Sequence, residues 1–367
     1  MSQPIMDPAF DEPWERLTAL RSAVVDRPLF AGAVLLCGVG DTIVDHRSAG
    51  WALCYADQEG TLLEEPDRIP MRLDTIFDLA SISKLFTSLV IMQLVESGQV
   101  QLDRQVVDYL PEFAAAGKTA VTVRQLLIHT SGFPAEIPLW RLYDDPQARI
   151  RGALEAEVVA APGTAYCYSD LNLITLGELA RRVTGQRLDR LVAERISGPL
   201  WLTDTGYNPD LALRPRIAAC EYEAVPDRGM VHGRVHDENA WSLNGVAGHA
   251  GVFSTATDLG RLALAVINSE LLGETAAQQM ITNQTADFAD HDHGLGFEIN
   301  QRWYMGDLAG PHTIGHTGYT GTSIVIDLQR RAYVILLTNR VHPNRGWGSV
   351  NPARVIAADA LAAYLRR

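Results

Sequence analysis

The sequence predicts an α+β fold: an antiparallel β-sheet flanked by N- and C-terminal helices, with a mostly helical domain inserted between its two halves. Three observations predict it. Strand-length runs of β-branched and apolar residues gather at the two ends of the 367-residue chain, around residues 31–55 and 294–338. The stretch between them carries apolar residues at helical rather than alternating spacing. The strand-like runs are joined by connections too short for parallel crossovers, which favours hairpins. The expected division is residues 1–80 with 290–367 for the sheet domain and 81–289 for the helical one, with a site in the cleft between them.

In chain order, Asp11 and Pro13 open a helix with Trp14, Leu17, Leu20 and Val24 on its apolar face, and Pro28 closes it. Ala31 to Val39 is continuously apolar, as a buried strand would be. Gly40-Asp41 turns the chain into two further strand pieces, Thr42 to His46 and Trp51 to Tyr55. Residues 56–74 are polar and loop-like, and Thr75-Ile76-Phe77 leads directly into an apolar helix from about Ala80 to Ser97, ended by Gly98. Thr122 and Gln125 form a capping box for Val123 to His129. Further helices are expected at Pro146–Val159, Leu171–Val183 (closed by Gly185), Leu188–Ile196, Thr257–Asn268 and Glu274–Ile281, with an irregular stretch over 203–240. Strands return at Gly294–Asn300, Thr322–Asp327 and Ala332–Thr338. Asn351 as N-cap and Pro352 at the first helical position then start a terminal helix.

Composition bounds the function. A net charge of −13 with no basic run argues against a nucleic-acid partner. Hydrophobic content of 47% and charged content of 20% suit a globular protein, and no apolar run approaches the roughly 20 residues of a membrane span. The N-terminus is acidic and proline-punctuated with no signal-sequence pattern, so the expected location is cytoplasmic, without a membrane partner. Cys37, Cys54, Cys167 and Cys220 lack metal or redox spacing and are expected as free thiols.

Three stretches carry chemistry. In Ala80-Ser81-Ile82-Ser83-Lys84, the serine and lysine stand three residues apart and share a helix face. Lys84 is one of two lysines, with Lys118, against 29 arginines. Burial disfavours the charged amine, and a neutral amine can take a proton from Ser81 and make it a nucleophile; alternatively the ammonium reaches solvent along its stem. In Tyr166-Cys167-Tyr168-Ser169-Asp170-Leu171-Asn172, a tyrosine precedes a carboxylate by two residues at a helix start. Tyr168 is a candidate general base and acid, or a core residue beside an aspartate N-cap. Gly315-His316-Thr317-Gly318-Tyr319-Thr320-Gly321 has glycines that allow close backbone approach by a ligand, or simply make a hairpin turn.

The order Ser-x-x-Lys, Tyr-x-Asp, His-Thr-Gly resembles the class C β-lactamase-like serine hydrolases, which include penicillin-binding DD-peptidases, D-aminopeptidases and carboxylesterases. The resemblance runs from about Gly32 to Arg340, and Phe77–Ser81, Leu126–Gly132 and Gly248–Thr255 also look like the family. It implies a β-lactamase/DD-peptidase-like fold and an acyl-enzyme on Ser81, with Lys84 and Tyr168 moving protons and the backbone N–H groups of Ser81 and Tyr319 forming the oxyanion hole. It implies substrate contacts at Asp170, His316, Thr317 and Gly318, a small ester, amide or lactam as substrate, and no cofactor. His316 stands where β-lactamases and penicillin-binding proteins have a lysine, which weakens a carboxylate anchor and favours esterase over strong β-lactamase activity. Asp170 replaces an asparagine common among relatives; it either raises the lysine pKa or binds a cationic group. Arg340 either supplies the missing cation or caps a strand end at the surface. Trp140, Tyr143, Trp241, Tyr319 and Trp347 are candidate pocket walls.

The rival readings are acyl transfer to an amine or alcohol, a D-amino-acid peptidase, a non-catalytic peptidoglycan or peptide binder, and a metal hydrolase using His232, His236 and Asp237, or His291, Asp292 and His293. A histidine triad is disfavoured by the absence of a Gly-x-Ser-x-Gly elbow. Oligomeric state is not legible.

Overall fold

The computed structural model describes residues 5–289 and 291–367. Twelve strands lie among them: β1 (Gly32–Val39), β2 (Thr42–Leu53), β3 (Ile69–Pro70), β4 (Phe77–Asp78), β5 (Gly206–Tyr207), β6 (Tyr222–Glu223), β7 (Gly229–Met230), β8 (Val252–Ser254), β9 (Glu298–Ile299), β10 (Thr313–Thr317), β11 (Thr322–Asp327) and β12 (Ala332–Thr338). Seven form one antiparallel sheet in the order β3-β2-β1-β12-β11-β10-β9. The two ends of the sequence meet where β1 pairs with β12, Val34 opposite Leu337.

The continuous apolar run of β1 follows from the cover on both sheet faces. Val34 and Leu36 pack into one core with Leu259 and Leu262 of helix Ala256–Ile267. Ala33, Leu35 and Cys37 face the other way, against Ala353, Ala357 and Leu361 of the terminal helix Asn351–Tyr364. Alternation along a strand sends neighbours to opposite faces, and here both are dry.

The first of these cores continues into the helical part. Helix Ser83–Glu96 is buried almost all round, from Ser83 to Met92, which explains its lack of a polar face. It packs on helix Asp170–Thr184, which Gly185 ends in a left-handed conformation at φ 73°. Thr122 and Gln125 make both halves of the capping box.

Several boundaries differ from expectation. The first helix stops at Thr18. Residues 42–53 form one strand, not two pieces, because the residues from His46 to Gly50 stay paired with β1, Leu36 opposite His46 and Gly32 opposite Gly50. Of Gly294–Asn300 only Glu298–Ile299 is strand; Gly296 at φ 107° breaks the rest. The glycine-flanked Thr313–Thr317 is a full strand, one the glycines concealed. Asn351 is the first helical residue after the cap Val350, and its side chain accepts from Arg354 instead of capping.

Candidate active site

Ser81 sits on a single 3-10 turn, Ala80–Ile82, directly ahead of helix Ser83–Glu96. The chain enters from β4, which pairs with β8, and reverses through Ala80 at φ 46°, a conformation costly for a residue with a Cβ. Asp78 holds that reversal. Its buried carboxylate accepts from the Ala80 N–H at 2.9 Å and from the His236 N–H at 2.6 Å. The serine is thus presented by a strained turn fixed from beneath.

Lys84, 1% exposed, lies one turn along the helix. Its Nζ donates to Ser81 Oγ at 2.8 Å and to His249 O at 3.4 Å, and lies 2.8 Å from Asp170 Oδ1. Burial alone would push this ammonium toward losing its proton. The Asp170 carboxylate, helped by Tyr168, outweighs burial and holds the pKa above the ordinary lysine value. Of the two expectations for this side chain, the geometry favours the one in which Asp170 raises the lysine pKa over the neutral, desolvated amine. Asp170 does not cap its helix, a task that Ser169 performs by accepting from Leu171 N.

The Tyr168 ring centroid is 4.7 Å from Lys84 Nζ. Burial holds its phenol pKa above the ordinary tyrosine value, with Asp170 adding to the rise and the Lys84 charge opposing it. Behind it, His129 packs at 4.7 Å between ring centroids; its Nδ1 accepts from Ser169 N at 3.1 Å and lies 3.0 Å from Asn172 Nδ2. These contacts fix the Tyr168–Asn172 turn against the helix start.

The turn between β10 and β11 closes the opposite side. Thr320 Oγ1 donates to Asp78 O at 2.7 Å and Thr322 Oγ1 to Leu79 O at 3.1 Å, fastening the turn to the Ser81 segment. A Cβ on Gly318 would meet Leu79 O at 2.3 Å, so only glycine permits the approach. Arg354, buried in the terminal helix, donates through Nη2 to Gly318 O at 2.7 Å and Thr322 O at 2.9 Å. Among the described residues neither the Ser81 nor the Tyr319 amide donates a hydrogen bond, leaving both free for a ligand oxygen.

His316, on β10, is 2% exposed, and burial beside Lys84 lowers its pKa to about 3. Its Nδ1 donates to Thr317 O at 2.8 Å, which makes Nε2 the bare acceptor. That Nε2 is buried without a partner among the described residues. His316 is a neutral acceptor, not a cation.

Ser81, Tyr168, His316, Thr317, Gly318 and Tyr319 line one cavity of about 590 Å³. Arg340 lines it as well; Nε donates to Tyr319 O, and Nη1 to Arg345 O and Gly348 O, so it ties rim loops together. Of the five aromatic candidates only Tyr319 is on this cavity. Trp347 packs edge-on against Tyr55, Tyr143 lies against Gly152, Trp241 lines a separate hollow with Arg228, and the Trp140 amide bonds Asn239. Trp303, Glu298, Arg345 and Arg354 line the cavity too and were not anticipated. Burial raises the Glu298 carboxyl to about 7. None of the four stands near a motif; only contacts across the fold bring them there.

The metal-type clusters are already engaged by cations. Asp170, Asp237 and His249 lie within ligand spacing of one another, but Lys84 holds Asp170 and His249 Nε2 contacts Asp237 at 2.8 Å. Glu221, Glu223 and His236 also cluster, with Arg345 bonded to Glu221 and Arg228 at 3.1 Å from Glu223. His232 bonds Ile217 O, His291 stacks on Tyr166, Asp292 accepts from Asn283, and His293 bonds Gly294 O.

Known proteins resemble this chain in sequence and in fold. The sequence model of the family described as Beta-lactamase matches residues 20–359. A curated relative from Escherichia coli (strain K12), described as "Putative D-alanyl-D-alanine carboxypeptidase", is 33% identical over 350 aligned residues, covering 84% of this chain and 79% of its own. A penicillin-binding protein homologue from Caulobacter crescentus superposes with a TM-score of 0.73 at 23% identity, over 98% of this chain and 99% of that one. EstCE1, described as a hydrolase with promiscuous acyltransferase activity, superposes with a TM-score of 0.72 at 21% identity, over 96% and 98%. At those identities the two structures bear on the fold alone. Among the described residues no helix is long and apolar enough to cross a membrane.

Proposed function

The chain belongs to the beta-lactamase family of serine hydrolases, and from that premise we propose that it cleaves a small ester through an acyl-enzyme on Ser81. Ser81 Oγ attacks the acyl carbonyl carbon, and its proton passes through the Tyr168–Lys84 pair to the departing alkoxide. Burial keeps the Tyr168 phenol above its ordinary pKa although the Lys84 charge lowers it, so the acceptor in this scheme is the basic form of the Tyr168–Lys84 pair after it has released one proton to solvent. Water then follows the same path in reverse and releases the acid. The amides of Ser81 and Tyr319 hold the oxyanion, and each such donor is worth about 2.7–4 kcal/mol.

The observation that carries the ester preference is His316. A carboxylate-bearing lactam would seek a cation from β10, and the strand offers a neutral ring with a bare acceptor nitrogen. Turnover of a panel of p-nitrophenyl esters, nitrocefin and D-amino-acid amides tests it, and nitrocefin outpacing every ester would sink it. Ser81→Ala should abolish the acyl adduct seen by intact mass; an adduct that persists would remove Ser81 from the mechanism.

A second reading, a carboxypeptidase acting on peptides that end in a D-amino acid, is favoured by the three arginines on the cavity, Arg340, Arg345 and Arg354. Against it, all three spend hydrogen bonds on the protein: Arg340 and Arg354 on carbonyls, Arg345 on Glu221 and Glu238. Release of D-alanine from a D-alanyl-D-alanine peptide faster than ester turnover would reverse the preference.

A further inference from the structure

A second cavity of about 590 Å³ lies on the helical side of the molecule and shares no lining residue with the Ser81 cavity. Its walls come from helices Pro146–Glu155 and Asp170–Thr184 and from the segment 243–248. Ile150 and Val246, partly exposed, supply its open apolar surface over the closed-off Leu154, Ile174 and Leu188, and its charged wall carries Arg151, Arg181, Arg182 and Arg187 against Glu112 and Glu178. In a chain of net charge −13 that wall is locally positive by two on its lining residues, and by one once Asp189, the partner of Arg187, is counted. Three of the arginines are already paired: Arg181 with Glu178, Arg182 with Glu112 and Glu178, Arg187 with Asp189. Arg151, exposed, makes no ion pair among the described residues.

An apolar hollow of this size with a few placed polar groups is how ligand sites are built. The free cation and the surplus positive charge choose the sign of the ligand, and the aliphatic interior chooses its body. We propose that this cavity is a second binding site, separate from Ser81, for an amphipathic carboxylate: an unbranched or lightly branched acyl chain in the hollow with its carboxylate on Arg151.

Its floor adjoins the catalytic machinery. A Cβ on Gly248 would meet Leu173 O at 1.8 Å, so the strip at 247–249 is wedged against helix Asp170–Thr184. The same strip accepts from Thr87 Oγ1 at Gly248 O and from Lys84 Nζ at His249 O. One side of it therefore floors the second cavity while the other touches Lys84.

Calorimetric titration of the full chain with decanoate tests the proposal, repeated on Arg151→Glu and on the distant surface control Arg16→Glu, which alters net charge equally. Saturable binding to wild type and Arg16→Glu is expected, weakened at least tenfold in Arg151→Glu. Decyltrimethylammonium, with a similar chain and the opposite charge, should not bind the wild-type cavity. Absence of saturable decanoate binding overturns the proposal. So does equal affinity in Arg151→Glu and wild type, which would place decanoate in the Ser81 cavity or on no defined site. Ester turnover of Arg151→Glu, expected at the wild-type rate, separates loss of this site from loss of the fold.

Discussion

Lys84 and Lys118, the only two lysines, are both withdrawn from water, and their surroundings push their protons in opposite directions. Among the described residues no carboxylate is in contact with Lys118. Its Nζ donates to the carbonyls of Ala115 at 2.8 Å and Ala156 at 2.6 Å, between the rings of Phe113 and Phe133. Burial therefore dominates, and the pKa falls to about 8 despite distant help from Glu155 and Glu157. Around Lys84 burial is as complete, yet Asp170 stands 2.8 Å away and the pKa rises. The comparison teaches that a buried lysine is not a base by default. A single carboxylate within hydrogen-bond reach decides the sign.

The sharpest way to break the comparison is to remove each ammonium in turn. Lys84→Met is expected to lower kcat/KM by on the order of 10³-fold, the size of a lost proton-transfer group, with the fold retained by circular dichroism. Lys118→Met should leave kcat/KM unchanged, since Lys118 Nζ bonds Ala115 and Ala156 whereas Lys84 Nζ bonds Ser81 itself. Equal losses in the two variants would mean that Lys84 contributes packing alone.

The next effect is on stability. Lys118 has its folded-state pKa lowered from 10.5 to about 8, so between those values the unfolded chain binds more protons than the folded one. Stability must then rise with pH through that window, by up to about 3 kcal/mol. Below pH 8 both states carry the proton and the full cost of burying the charge is present. Urea midpoints of wild type and Lys118→Met, measured from pH 7.5 to 10.5, should converge or cross as pH rises. A constant difference would mean that the Lys118 ammonium is not destabilised in the fold.

What could be read from the sequence follows the same local-versus-distant division. Ser81, Lys84, Tyr168 and the β10–β11 turn were legible because each depends on near neighbours: three residues of helix, a turn before a helix start, a glycine pair. The fold class was legible because β1, β11, β12 and the terminal helix carry their burial in their own periodicity. Arg354 was not, since its acceptors Gly318 and Thr322 lie 36 and 32 residues away. Glu298 was not, because its pairing opposite Gly315 of β10 is what brings it to the cavity wall, and nothing in its own stretch announces that. The charge state of Lys84 lay between these cases. Both possible signs were visible in the residues, and only the distance to Asp170 chose one.

Asp170→Asn sharpens the comparison most finely, because it gives Lys84 the kind of surroundings that Lys118 has. The asparagine keeps a hydrogen-bonding side chain at the helix start and removes the anion. Asp170 raises both the Lys84 and the Tyr168 pKa, so its loss lowers both. Whichever of the two takes the Ser81 proton, its basic form becomes available at lower pH. The ascending limb of kcat/KM against pH should therefore move to lower pH in Asp170→Asn, for Lys84 in the direction in which burial has already moved Lys118. The direction carries the argument: a limb that moved upward would mean that Asp170 itself receives the proton, and coincident profiles would mean that the 2.8 Å pair does not govern the titration of Ser81's partners.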